Sequence, residues 1–152
     1  MLKLVFLDID GTLVGASGKV QACVFDATDQ ALAAGITLAI CTGRPGLGIA
    51  QEIAYRIGPH NPHIFQNGAV LSFPDGQAVK SYGIDKTACA LLAQHARKHQ
   101  LTLELYSPTA LYVEADTEVG LAHQKMIGVN STLINFDDLL ASDEPLCGLS
   151  GW

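Results

Sequence analysis

The apolar run Leu4-Val5-Phe6-Leu7 breaks off at two acids, Asp8 and Asp10, with Gly11 and Thr12 directly after. Such a run, beginning near residue 2, suits a strand buried on both faces, as in the middle of a parallel sheet. Alternation along a strand sends Asp8 and Asp10 one way and Ile9 the other. Gly11 lets the backbone turn sharply. The two acids therefore converge beyond the carboxyl end of a central strand, where open α/β sheets hold their ligands. The plainer alternative is a solvated Asp-Gly turn, which follows strands in any fold.

Neighbouring carboxylates repel, and a proton or a cation must relieve them. Magnesium suits the place, because it takes a few carboxylate oxygens together with waters and a substrate phosphate. One carboxylate could then act as nucleophile toward phosphorus, and the other as acid and base.

A matching feature follows. Ile36 to Cys41 reads as a second apolar strand, and it ends in Thr42-Gly43-Arg44. Thr42 can donate a hydrogen bond to a phosphate oxygen, and Gly43 lets its N–H approach closely. Arg44 can neutralise a substrate or pair with an acid. The next helix start favours an anion. Taken alone, this stretch is an ordinary strand-to-helix turn; two strands with such ends reinforce each other.

Between these strands, Val20, Val24, Ala27, Ala31 and Leu32 recur at helical spacing, with a stop at Gly35. A second helix spans about 46–57 and ends at Gly58. Ile64-Phe65 predicts a short third strand before Asn67-Gly68. Strand–helix–strand–helix–strand order implies an α/β fold with a parallel sheet. After residue 69 the pattern changes to a hairpin around Pro74-Asp75-Gly76, then a helix over 85–99 with Leu91, Leu92 and His95 on one side. Two strands flank Ser107-Pro108-Thr109, followed by a helix near 117–127 and a strand at 132–135. The change from parallel α/β to α+β near 82–86 predicts a domain boundary, giving 1–82 and 83–152.

The chain has 152 residues, 49% of them hydrophobic, enough for one substantial core. A net charge of −6 argues against nucleic-acid or anionic-membrane binding. Cys23, Cys41, Cys89 and Cys147 lie far apart. Cys23 and Cys41 fall in apolar patterns and are expected as core thiols in a reducing compartment. No apolar run approaches membrane-spanning length, and the N-terminus begins on a strand without space for a signal peptide. A cytoplasmic location is expected.

Asp8-Ile-Asp-Gly-Thr12, Thr42-Gly-Arg44 and Asn67-Gly-Ala69 together resemble the haloacid dehalogenase superfamily of phosphatases, in its Cof-like branch with a type IIB cap. The resemblance implies a Rossmann-like core and an inserted α+β cap. It implies Asp8 as nucleophile, Asp10 as acid/base, and magnesium on Asp8 and the backbone carbonyl of Asp10. Thr42 inherits a phosphate-binding role, with Gly43 and Arg44 beside it. Asn67 is read either as a substrate contact or as a turn residue tolerant of left-handed geometry. Two further family motifs, a lysine and Gly-Asp-x-x-Asn/Asp-Asp, have no match here. Lys125 falls in the cap, and Asp137-Asp138 and Asp143-Glu144 read as solvated loop charges. Residues 147–152 are glycine-rich and non-periodic. The expectation is a chain that stops partway through its cap, by truncation, frameshift or fragmentation, with the C-terminal part of the core missing and phosphatase activity weak or absent.

Other signals carry less. His95 and His99 could hold zinc by spacing alone, but Arg97 and Lys98 between them oppose a cation. His60 and His63 read as a polar loop, and His123 has no evident partner. The leading function is a magnesium-dependent phosphatase acting on a small phosphorylated metabolite such as a sugar phosphate. A non-enzymatic phosphate-binding fragment, self-associating through its incomplete sheet, is the alternative. A receiver-like signalling domain would need an acid on the third strand, and residues 63–67 offer none.

Overall fold

A computed structural model describes residues 3–152. The expected strand start at residue 2 lies outside the described residues. β1 (Leu4–Leu7) pairs in parallel with β2 (Thr37–Ile40), with Leu4 opposite Thr37 and Leu7 opposite Ile40. Between them α1 (Ala22–Ala33) ends at Gly35, whose φ of +77° suits a residue without Cβ. α2 (Gly48–Ile57) leads to β3 (His63–Phe65), which meets β2 through a parallel bridge between Cys41 and Ile64. The parallel order read from sequence is therefore present. β4 (Val70–Ser72) and β5 (Ala78–Ser81) add the hairpin, both pairings antiparallel.

One core packs around Ile9, Leu38, Ile40, Ile53, Ala54, Ile57, Phe65 and Val70. β1 does not sit at its centre. It lies at the sheet edge, with Leu4 44% and Phe6 53% exposed, which corrects the expectation of burial on both faces.

Beyond residue 83 the chain builds a four-stranded sheet in the order β8-β7-β6-β9, where β6 is Leu103–Tyr106, β7 Leu111–Val113, β8 Thr132–Leu133 and β9 Gly148–Gly151. α3 (Lys86–His99) begins at Asp85, whose side chain accepts the Ala88 N–H at 2.9 Å. Its buried residues are Cys89, Ala93 and Ala96, and the side bearing Leu91, Leu92 and His95 is the exposed one. α4 (Glu118–Ile127) is capped by Thr117. α5 (Phe136–Ala141) was not foreseen. It buries Phe136 and Leu139, and Asp137 in its first turn pairs with Arg97, so Asp137-Asp138 is not a loop. Arg97 also binds Glu114, whose carboxylate accepts the Phe136 N–H at 2.8 Å. β9, read as non-periodic, is a strand paired antiparallel with β6.

All four cysteines are free. Cys89 and Cys147 are buried, whereas Cys23 and Cys41 are exposed, reversing the expected core pair. His63 is likewise no polar loop. It is fully buried, its Nδ1 accepts the Ile40 N–H at 2.9 Å, and Nε2 lies 2.9 Å from the Gly58 carbonyl. An accepting Nδ1 puts the ring hydrogen on Nε2, so the neutral ring ties β2 to the end of α2.

Burial pushes the His63 pKa down, the Gly58 carbonyl opposing this only in part. The unfolded chain therefore takes up a proton near pH 6.5 that the folded chain resists. Stability from this group is complete above that value and is lost as pH falls through the folded pKa. His63→Leu should cost about 1–3 kcal/mol by orphaning the Ile40 N–H, and should flatten the pH dependence below neutrality. Denaturant midpoints measured across pH check both.

Candidate active site

The end of β1 is built as a tight loop. Ile9 is fully buried, and its carbonyl accepts the N–H groups of Thr12 and Val14 at 3.3 and 2.8 Å. Gly11, at φ +75°, donates to the Val14 carbonyl. Leu13 and Val14 are buried and anchor the loop in the core. Asp8 and Asp10 are exposed on either side of Ile9, as alternation requires.

The end of β2 is tied to both neighbours. Cys41 N–H donates to the Leu7 carbonyl at 2.9 Å, and Thr42 N–H to the Ile64 carbonyl at 3.0 Å. The Thr42 carbonyl accepts from Asn67 N–H, and the Arg44 carbonyl from Gln66 N–H. Asn67 adopts left-handed geometry at φ 54° and ψ 32°. A Cβ on Gly43 would stand 3.0 Å from the Asn67 amide oxygen, so the absence of a side chain there lets the two loops touch. Thr42 is buried, and its hydroxyl oxygen accepts the Arg44 N–H at 3.2 Å.

Arg44 reaches across to Asp10. Nε and Nη2 donate to the two carboxylate oxygens at 2.8 and 2.7 Å, a bidentate pair. These hydrogen bonds hold the Asp10 carboxyl below the usual carboxylate range, against an opposing push from partial burial. The same contact raises Arg44 above its ordinary value. Nη1 of Arg44 is buried and has no protein partner. It is an unused donor on the one Lys or Arg that, among the described residues, lines the adjoining cavity.

Asp10, Gly43, Arg44 and Asn67 line one wall of a cavity of about 300 Å³. The facing wall comes from the second sheet and α4: Tyr106, His123 and Ser150. Asp8 and Thr42 stand outside this lining. The facing wall escaped the sequence reading. Glu104 holds it together, accepting from Tyr106, His123 and Ser150, and gives His123 the partner that sequence did not reveal. An acid inside Leu103-Glu-Leu-Tyr106 was the available signal, because a buried carboxylate needs partners.

The donor set for a cation is small. Among the described residues no three His, Cys, Asp or Glu side chains gather at one point. Asp8 takes no hydrogen bond there, and the Asp10 carbonyl accepts none from the backbone, whereas the Asp10 carboxylate is occupied by Arg44. The Asp8 carboxylate and the Asp10 carbonyl would be the protein ligands available to magnesium, which keeps several waters and needs few protein ligands. The His95 and His99 rings lie 4.3 Å apart between centroids, tilted by 37°, without a third ligand among the described residues.

Comparison with known proteins places the chain in a family. Residues 5–145 match the family of haloacid dehalogenase-like hydrolases. Phosphatase YwpJ of Bacillus subtilis (strain 168) is 28% identical over 111 residues, covering 73% of this chain and 39% of that protein. A phosphatase of the same superfamily, BT1666 of Bacteroides thetaiotaomicron, superposes with a TM-score of 0.71 at 23% identity, covering 95% of this chain and 54% of that one. The subclass IIB sugar phosphatase BT4131 superposes with a TM-score of 0.79 at 20% identity, covering 98% and 58%. These two likenesses establish the fold. The chain spans between two fifths and three fifths of the length of these relatives. No described helix is long and apolar enough to cross a membrane.

Removing the Arg44 guanidinium should return Asp10 toward an ordinary carboxylate pKa. Asp10 is more than half exposed, so the pair should be worth less than about 1 kcal/mol of folding stability. That contribution is present above the unfolded pKa and is lost as pH falls through the lowered folded value. Carboxyl NMR titration of Asp10 in wild type and Arg44→Gln should show the upward shift; an unmoved Asp10 would mean the contact is absent in solution.

Proposed function

The chain belongs to the haloacid dehalogenase-like hydrolases, and we propose that it carries the phosphate-accepting residues of a magnesium-dependent phosphatase for small phosphate esters such as sugar phosphates. The observation that carries this reading is the meeting of the β1 and β2 ends, where Asp10, an arginine with a spare donor and a cavity share one corner. We take residues 1–82 as the core and 83–152 as the cap, the cavity lying between them.

In this reading an Asp8 carboxylate oxygen attacks phosphorus, the bond from phosphorus to the ester oxygen breaks, and an aspartyl-phosphate forms on Asp8. Asp10 gives a proton to the departing oxygen, then takes one from the water that cleaves the aspartyl-phosphate. Magnesium, when bound by Asp8 and the Asp10 carbonyl, would supply charge balance for the phosphate. Arg44 has a double role. While it clasps Asp10 it holds that acid deprotonated, which suits the second step. A phosphate accepting from Nη1 and drawing Arg44 across would loosen the clasp and let Asp10 hold the proton that the first step needs. Thr42 and Asn67 are read as phosphate contacts, which requires the Thr42 hydroxyl to turn from the Arg44 N–H.

Among the described residues Arg44 is the one Lys or Arg lining the cavity, and no lysine stands with it. Loss of one electrostatic donor costs roughly 10²–10³ in rate. Para-nitrophenyl phosphate turnover by this chain should therefore be slow, magnesium-dependent and abolished by Asp8→Asn. Slow turnover that survives Asp8→Asn would remove Asp8 from the nucleophile role.

A further inference from the structure

Alternation along β6 puts Glu104 and Tyr106 on one face and Leu105 on the other, where it joins the packing of α3 and α5. Glu104 is fully buried. One of its oxygens, Oε2, gathers the Tyr106 hydroxyl at 2.6 Å, the Ser150 hydroxyl at 2.8 Å and His123 Nδ1 at 2.7 Å. A buried carboxylate is costly unless hydrogen-bonded, and here every donor comes from a residue that lines the cavity. Glu104 itself does not line it. It sits behind the wall and fixes all three side chains at once.

That fixing has a consequence for His123. An accepting carboxylate at Nδ1 keeps the hydrogen on that nitrogen, which leaves Nε2 for a ligand. Among the described residues Nε2 has no hydrogen-bond partner. The Tyr106 and Ser150 hydroxyls, with their hydrogens committed to Glu104, keep lone pairs that can accept. Met126 and Leu149 supply apolar surface between these polar points. Asp10 and Arg44 stand on the opposite wall. One end of the cavity thus suits phosphate, and the other suits a carbon skeleton bearing hydroxyl groups.

We propose that His123, positioned by Glu104, is the specificity-determining residue of this site, accepting at Nε2 a hydrogen bond from a hydroxyl group on the leaving group of a polyhydroxylated phosphate ester. The assignment rests on the phosphatase reading for its phosphate end. It adds which residues recognise the rest of the molecule, with Tyr106 and Ser150 as accompanying acceptors. A site built to hydrogen-bond a hydroxyl discriminates against ligands lacking it, because its own polar groups are otherwise left unpaired.

Trp152, the only tryptophan, lies with its ring 5.3 Å from the His123 ring and gives a local optical signal. The test is calorimetric binding of glucose 6-phosphate and of methyl phosphate to the 152-residue chain with magnesium, alongside Trp152 fluorescence. Wild type should prefer glucose 6-phosphate, and Trp152 emission should respond to it but not to methyl phosphate. His123→Ala should lower the preference roughly tenfold, the size of one hydrogen bond to a polar group. Glu104→Gln, which keeps the volume of the buried side chain, should lower it in the same direction, with thermal melting confirming that each variant is folded. A preference unchanged in both variants, or methyl phosphate bound as well as glucose 6-phosphate by wild type, overturns the role of His123 alone. If wild type binds neither ligand, the phosphatase reading falls and this assignment falls with it.

Discussion

The bidentate contact between Arg44 and Asp10 is the constraint on which the site depends. It exists because β1 and β2 run in parallel and in register, so that both loops emerge at the same end of the sheet. An exposed pair of this kind contributes little to folding stability. Its effect is positional and electrostatic. It joins two loops far apart in sequence, keeps Asp10 ionised, and holds a cation beside an acid that would otherwise repel a phosphate.

The rest of the local structure supports that contact. Thr42 spends its hydroxyl on the Arg44 backbone, Asn67 takes left-handed geometry to pass close to Gly43, and His63 braces β2 from beneath. A second body of structure then closes over the site. α2 and α4 approach so tightly that a Cβ on Gly48 would stand 2.4 Å from the Gly128 carbonyl oxygen. The residues that Glu104 holds face Asp10 and Arg44 from that side.

What sequence could foretell followed from local rules. Strand alternation placed Asp8 and Asp10 opposite Ile9, the order of elements implied the parallel pairing, and Asn67-Gly68 marked a turn that needs left-handed backbone. What it missed required contacts between distant segments. Glu104 and His123 are 19 residues apart and meet only when α4 lies on the sheet. β9 alternates in burial, but Gly148-Leu-Ser-Gly151 carries no alternating apolar signal in sequence, and its pairing to β6 is a long-range backbone contact. α5 is too short for helical periodicity to register, and which side of α3 faces the core was not legible, because the smaller residues Cys89, Ala93 and Ala96 are the buried ones. The edge position of β1 was also illegible: an apolar run reports the hydrophobicity of a strand, not how many neighbours it has.

The central claim is that Asp8 accepts phosphorus at this corner of the fold. Beryllium fluoride mimics a phosphoryl group on a carboxylate, and its binding can be followed by fluorine NMR in the presence of magnesium. A bound signal in the wild-type chain that disappears in Asp8→Asn is the predicted result. A wild-type chain that gives no bound signal, or one that persists in Asp8→Asn, would contradict it.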